Sequence, residues 1–298
     1  MNKNTVFLSA LRSAAKIIRG SGMPEAAAYS EAKSLLSYAA GIEYNRLPLK
    51  LNDNLNRRSF NRVMMLAEKR AEGYPLQYIT GVQDFYGRDF TVKKGVFIPR
   101  FDTQALIDEI KANMKELPDG CTAAECGCGK GIISITMLLE SDKIKKMLAY
   151  DISKRAAANT RINARTHGCM DRLRVYEGDF FKMIQDRKEK IPLIVSNPPY
   201  IDKRDMDSLP KDVLKEPKKA LYGSFKGLSY YKRLAGLARS ILPENGLLAL
   251  ETGDGMERSV VDICEKQGLE FLSKGKDAGG NIRAIVLRKQ KNAPVPKP

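Results

Sequence analysis

Four short stretches of this 298-residue chain combine side chains that could act on a small molecule. In SNPPYI, residues 196–201, an amide, two prolines and a ring follow the apolar run IPLIV. Pro198 and Pro199 end any strand ladder, because neither offers an N–H. Asn197 stands before a proline and is pushed toward an extended backbone. The product is a stiff shelf carrying the Asn197 amide, free carbonyls and the Tyr200 ring, suited to gripping a small planar group. On these six residues alone, a bare strand terminator is the alternative. ECGCGKG, residues 125–131, places Gly127, Gly129 and Gly131 between a strand and a helix. There they permit a tight turn and close approach of a ligand to the helix N-terminus. The spacing is GxGxG rather than the GxGxxG of dinucleotide folds. Asp151 closes AYD, where a carboxylate can take both hydroxyls of a ribose or cap the next helix. Asp179 and Phe180 stand in YEGDFF. Such an acid can accept from an exocyclic amine and such a ring can flank an adenine, or the two are a loop acid and a core aromatic.

These groups need a scaffold that brings them together. Residues 1–72 read as a small helical domain. Val6, Leu8, Leu11, Ala14, Ile17 and Ile18 recur at helical spacing, and YSEAKSLLSYAAG stops at Gly41. SFNRVMMLAEKRAEG has Ser59 as a candidate N-cap and Gly73 beyond its end, and no strand signal occurs in this region. Residues 73–98, rich in aromatic and β-branched residues with spaced glycines, read as a β-hairpin linker. From 99 to 288 helices and strands alternate, starting with a helix for which Asp102 is a candidate N-cap. Seven strand segments follow: TAAEC, KKMLAYD, LRVYEGD, IPLIVSN, GLLALET, FLSKG and IRAIVLRK. The alternation predicts a mainly parallel, doubly wound α/β sheet. The last two segments are close enough for an antiparallel hairpin at one edge. Residues 289–298 read as a loose tail. In this arrangement all four stretches fall at strand C-termini, where open α/β sheets bind ligands.

Composition narrows the classes. Hydrophobic residues make up 43% of the chain, which supports a sizeable core and argues against global disorder. No apolar run approaches the roughly 18 residues that cross a bilayer. The amphipathic N-terminus, interrupted by Arg12 and Lys16, forms no signal-peptide core, so a cytoplasmic protein without membrane partners is expected. Five cysteines without a CxxC argue against a disulfide framework. Cys126 and Cys128 form CxC, but with His167 as the sole histidine no metal site is expected. His167 itself reads as a helix end before Gly168. The net charge of +16 favours polyanionic or acidic partners, although no dense basic block stands out.

Taken together, ECGCGKG, Asp151, Asp179–Phe180 and NPPY resemble the class I S-adenosylmethionine-dependent methyltransferases, in their amino-methylating branch. GYPLQYITGVQDFYGRDF, VFIPRFDTQALIDEI, EPKKALYG with GLSYYKRL, and DAGGNIRAIVLRK narrow the resemblance to the release factor glutamine methyltransferases, the PrmC/HemK family. The likeness spans about residues 72–288, and the helical N-terminal region suits it. It implies a Rossmann-like class I methyltransferase fold with a seven-stranded sheet. The chain departs from the family's usual pattern at Gln104, where an acid is usual, at Cys126, Cys128 and Lys130 in the glycine loop, and at Glu125 in place of Asp.

The resemblance implies methyl transfer from S-adenosylmethionine, leaving S-adenosylhomocysteine, to the side-chain amide nitrogen of the glutamine in a release factor's GGQ motif, in support of translation termination. Asn197, Pro198 and Tyr200 would be catalytic, and with Pro199 would hold the substrate amide. The cofactor would lie on Gly127, Cys128, Gly129, Lys130 and Gly131, with Asp151 at the ribose, Asp179 and Phe180 at the adenine, and Asn197 at the junction with substrate. The helical domain would recognise the body of the release factor. Nucleic acid would not be required, and a monomer is expected. The competing enzyme is an exocyclic-amine methyltransferase acting on DNA or RNA, which the charge suits. A catalytically inert adaptor is the third reading, disfavoured by the intact shelf.

Overall fold

Runs of buried residues decide where the sheet forms. LLALE (247–251) and LIVS (193–196) are buried at every position, as expected of strands covered on both faces. The structure, a computed structural model, describes residues 5–187 and 189–291. By internal contacts the chain divides into two units. One runs up to Val82 and takes in Leu209–Lys215; the other holds Gln83–Ser208 and the chain from Glu216 on.

The first unit contains β1 (Thr5–Val6), α1 (Phe7–Arg19), α2 (Glu25–Ala40), β2 (Asn54–Leu55), α3 (Arg57–Ala71) and α4 (Leu76–Thr80). Leu11, Ile18, Leu35, Leu36, Val63 and Ala67 form its core. Helix α2 stops at Gly41, whose φ of 67° suits glycine. The N-cap of helix α3 lies three residues before the expected Ser59. Asn56 is the N-cap, its side chain accepting from Ser59 N–H at 2.8 Å, and Ser59 lies inside the helix. β1 and β2 pair antiparallel over two residues, a ladder too short for sequence periodicity to reveal. Arg70, nearly buried, donates to Glu31 at 2.5 Å and to Asp212 at 3.2 Å, which ties the 209–215 segment into this unit.

The second unit opens with the hairpin β3 (Val82–Phe85) and β4 (Arg88–Thr91), turned by Tyr86 and Gly87 at φ 54° and 71°. The hairpin is thus confined to 82–91; LQYIT before it is a short helix ended by Gly81 at φ 78°. Then follow α5 (Thr103–Ala112), β5 (Cys121–Cys126), α6 (Ile132–Glu140), β6 (Ile144–Asp151), α7 (Lys154–Thr166), β7 (Leu173–Glu177), α8 (Phe180–Met183), β8 (Leu193–Ser196), α9 (Lys218–Leu221), α10 (Ser229–Ile241), β9 (Leu247–Glu251), α11 (Glu257–Glu265), β10 (Leu269–Lys276) and β11 (Ile282–Lys289).

The seven strands lie in the order β10-β11-β9-β8-β5-β6-β7. β5 to β9 run parallel, and β11 pairs antiparallel with both β9 and β10. The mainly parallel sheet with a C-terminal antiparallel hairpin is therefore the observed fold. Its two faces carry separate cores, one around Leu106, Ile135 and Val195, the other around Tyr150, Ile194 and Leu234. Strand order reverses between β5 and β8, and such a switch point opens a crevice at the strand C-termini. Of the expected loose tail, β11 takes Lys289, and residues 292–298 lie outside those described.

Candidate active site

The glycine loop and the NPPY shelf leave the sheet side by side. Cys126 at the end of β5 is in register with Ser196 at the end of β8, and the Ser196 hydroxyl donates to Cys126 O at 2.8 Å. On the other flank Cys126 is in register with Tyr150, so Asp151 follows one step beyond.

The loop turns through Gly127, Gly129 and Gly131 at φ 77°, 54° and 80°. Gly127 and Cys128 N–H groups both donate to Tyr150 O, and Gly129 N–H donates to the Asp151 carboxylate at 2.9 Å. A Cβ at Gly127 or Gly129 would meet nothing within 4 Å, so one side of the loop is open; at Gly131 it would strike Thr160 at 2.7 Å. Asp151 takes Ser153 N–H on its other oxygen. Ser153, not Asp151, caps α7 through Ala156 N–H. Burial raises the Asp151 pKa and these backbone donors oppose the rise. Each carboxylate oxygen keeps a second acceptor position, so hydroxyls can still be taken.

Two loop residues named from sequence turn their side chains away from the open side. Cys128 is buried against the Thr160 hydroxyl at 3.4 Å. Lys130 is only 2% exposed, and its ammonium donates to Val96 O at 3.1 Å and to Phe97 O. Desolvation brings its pKa down to about 7. These two residues offer a ligand backbone only. Lys130 instead braces VFIPR from below, and Glu216 grips the same segment through Ile98 N–H at 2.7 Å and Arg100.

Beneath the loop Glu125, 1% exposed, accepts from Ser134 N–H at 3.0 Å and from the Ser134 hydroxyl, fastening α6 to β5. Burial pushes its carboxyl up to about 8. Asp179 lies past the end of β7 and caps the short helix α8 through Phe181 N–H at 2.9 Å. Phe180 is 3% exposed and packs edge-on against Tyr150, inside the core. The neighbouring Phe181 is half-buried, with the Arg233 guanidinium 3.7 Å from its ring centre and 3.6 Å from Asp179.

On the shelf Pro198 is buried, while Asn197, Pro199 and Tyr200 are half-buried. The Asn197 amide nitrogen donates to the Thr103 hydroxyl at 3.3 Å. Burial raises the Tyr200 phenol pKa, so the ring is neutral. Behind the shelf, Ile201 bridges Tyr222, and Gly223 N–H donates to Ile201 O at 2.9 Å. Asp102 precedes α5 but makes no cap hydrogen bond; it pairs with Arg283 at 3.3 Å.

Sequence reasoning passed over Thr103 and Glu251. Glu251 closes β9 in GLLALET, with 1% exposure. A lone acid ending an apolar strand beside the NPPY strand was the available signal. Among the described residues no group of three or more His, Cys, Asp or Glu could hold a metal, and no helix is long and apolar enough to cross a membrane.

Comparison with known proteins agrees with this architecture. Residues 9–81 match the family model described as the PrmC N-terminal domain, and 88–224 match the Methyltransferase small domain. A release factor glutamine methyltransferase from Moorella thermoacetica is 35% identical over 238 residues, 80% of this chain and 83% of that protein. One from Aquifex aeolicus is 33% identical over 262 residues, 87% and 90% of the two chains. A solved structure from Streptococcus mutans, described as a SAM-dependent methyltransferase, shares the fold with a TM-score of 0.50 at 14% identity, over 70% of this chain and 55% of that one. The sheet is thus that of a methyltransferase, and the chain belongs to the release factor glutamine methyltransferase family.

Proposed function

We propose that this chain methylates the side-chain amide nitrogen of the glutamine in the GGQ loop of peptide chain release factors, with S-adenosylmethionine as donor. The observation that carries the reading is the shelf after β8, where Asn197 is half-buried beside the glycine loop with its amide nitrogen held inward by Thr103. An amide nitrogen is a poor nucleophile because its lone pair is delocalised into the carbonyl. Asn197 Oδ1 and the Pro198 carbonyl can accept its two hydrogens, fixing its orientation and easing loss of one proton to solvent. Tyr200 can pack against the flat amide. Positioning of this kind supplies much of the acceleration in a transfer between two held partners.

The residues present fit the donor. The open side of Gly127 and Gly129 leaves room for a ligand against the backbone. Asp151 keeps acceptor capacity for a ribose, and Asp179, past the end of β7, would take the adenine amine. Phe180 lies within the core, so Phe181, half-buried under Arg233, is the better placed ring to flank the base. When bound, S-adenosylmethionine supplies an electrophilic methyl carbon on a sulfonium sulfur. The helical unit is the natural contact for the body of the release factor, and the setting is the cytoplasm.

The test uses methyl-labelled S-adenosylmethionine and lysate from cells lacking this protein. Adding the purified chain and splitting the sample between protease and nuclease should leave label that survives nuclease and maps to a GGQ peptide. Label lost to nuclease would replace this reading with the exocyclic-amine enzyme. Asn197→Ala should lose turnover far more than cofactor affinity.

A further inference from the structure

Strand register places an acid directly beside the shelf. β8 and β9 run parallel with Ser196 opposite Leu250, so the next step sets Asn197 beside Glu251. Glu251 is 1% exposed, and its Oε2 is buried without a hydrogen-bond partner. A buried, incompletely satisfied carboxyl costs stability, so packing gives no reason to keep it there. The Thr103 hydroxyl and the Asn197 amide both act on the carboxyl as hydrogen-bond donors, opposing the effect of burial. Asn197 also donates to Thr103 Oγ1.

This chain of contacts has a fixed polarity. An ionised carboxylate only accepts. Thr103 has one hydroxyl hydrogen; where the carboxyl takes it, the oxygen can only accept from its other neighbour. That neighbour is Asn197, whose NH2 must then face inward, leaving Oδ1 to face the crevice. We propose that Glu251 is a positioning residue which, directly and through Thr103, holds the Asn197 amide in the one orientation that presents an acceptor to the substrate nitrogen. The proposal rests on the glutamine reading above. A reversed Asn197 would set its NH2 against the NH2 of the substrate, two donors with nothing between them.

The orientation holds while Glu251 is ionised. The charged and titratable groups facing it are Asp102, which raises its pKa, Arg283, which lowers it, and the phenols of Tyr200 and Tyr231. The balance puts the carboxyl near pH 7. Turnover should therefore climb as pH rises through that value and level off above it.

The experiment measures single-turnover methylation of a recombinant release factor, with S-adenosylmethionine affinity by calorimetry, for wild type, Glu251→Gln, Thr103→Val and Thr103→Ser. Glu251→Gln and Thr103→Val should each lose about tenfold to hundredfold in turnover, the scale of one mispaired buried polar group, with cofactor Kd nearly unchanged. Thr103→Ser should retain most activity, the double variant should be no worse than either single one, and Glu251→Gln should flatten the pH profile near 7. Full turnover and an unaltered pH profile in Glu251→Gln, or Thr103→Ser failing like Thr103→Val, overturns this proposal alone. Wild type that leaves the release factor unlabelled overturns the glutamine reading and this proposal with it.

Discussion

Replacing Gly223 by alanine tests how closely the NPPY backbone must be placed. Residues 221–223 run beside the shelf, joined to it by Ile201 N–H to Leu221 O at 3.0 Å and by Gly223 N–H to Ile201 O. A Cβ on Gly223 would lie 2.5 Å from Pro199 O, 2.6 Å from Tyr200 Cα and 2.9 Å from Tyr200 C. Ordinary contact begins at 3.4 Å, so the shortfall is 3.4 minus 2.5, or 0.9 Å. All three obstructing atoms are backbone, so no side chain can swing aside and the shelf itself must move. Overpacking of this kind costs about 1–3 kcal/mol, which leaves the domain folded. A displacement near 1 Å at a reacting centre costs about a hundredfold in rate. Gly223→Ala should therefore lose between tenfold and a hundredfold in single-turnover methylation, with S-adenosylmethionine affinity held within a few fold. The control is Gly236→Ala within α10, where a Cβ meets nothing within 4 Å. It should raise stability by about 0.5–1 kcal/mol and leave the rate alone. A Gly223→Ala protein with wild-type turnover, or one whose loss is matched by Gly236→Ala, would refute the reasoning.

Three further outcomes follow from buried charges. Glu125 has its carboxyl raised from 4.5 to about 8, so the folded state binds its proton more readily and stability falls as pH climbs between those values. Glu125→Gln removes that loss and should melt above wild type at pH 9, by up to about 5 kcal/mol, and converge with it near pH 5; parallel melting curves would exclude the assignment. Arg100→Met strips the partner from the 4%-exposed Glu216 and should cost about 2 kcal/mol in urea unfolding, discounted because the arginine is one-third exposed. Arg70→Met breaks the pairs that buried Arg70 makes to the half-buried Glu31 and Asp212 and should cost about 2 kcal/mol, discounted because Asp212 is one-third exposed. It should also speed tryptic cutting at Lys211 and Lys215, and an unchanged digest would contradict the link.

The parallel core was legible because each strand is a short apolar run bounded by turn residues, and the helices between them forced parallel order. The glycine loop and NPPY were legible because proline and glycine act on the backbone directly, whatever surrounds them. Side-chain destinations were less so. Lys130 sits in a loop where a ligand was expected to draw it, yet the carbonyls of Val96 and Phe97 capture it from below. Phe180 and Phe181 are identical in type and adjacent, and only packing against Tyr150 decides which is buried. Ser59 lost the cap to Asn56 because both residue types cap well and register alone selects between them. The return of 209–215 to the helical unit depends on Arg70 meeting Asp212, a pairing across 142 residues that no local pattern carries.

The disposition of charge near the shelf bears on which nucleophile belongs there. A nucleic-acid amine would arrive with a phosphate backbone, and proteins that take such substrates offer arginines and lysines to it. Three arginines near NPPY are committed to the chain's own acids. Arg283 meets Asp277 at 2.8 Å, Asp254 at 3.0 Å and Asp102 at 3.3 Å. Arg100 is held by Glu216, and Arg204 by Asp202 at 3.1 Å. What the shelf presents is uncharged: the Asn197 amide, proline carbonyls and a phenol whose pKa burial raises further. The buried acids Glu125 and Glu251 are turned inward onto Ser134 and toward Thr103 and Asn197. A neutral planar amide needs only that arrangement of acceptors and a ring, and these three arginines are not free to meet a phosphate. The net charge of +16 belongs to the whole chain, and charge of that sign can steer an acidic protein partner.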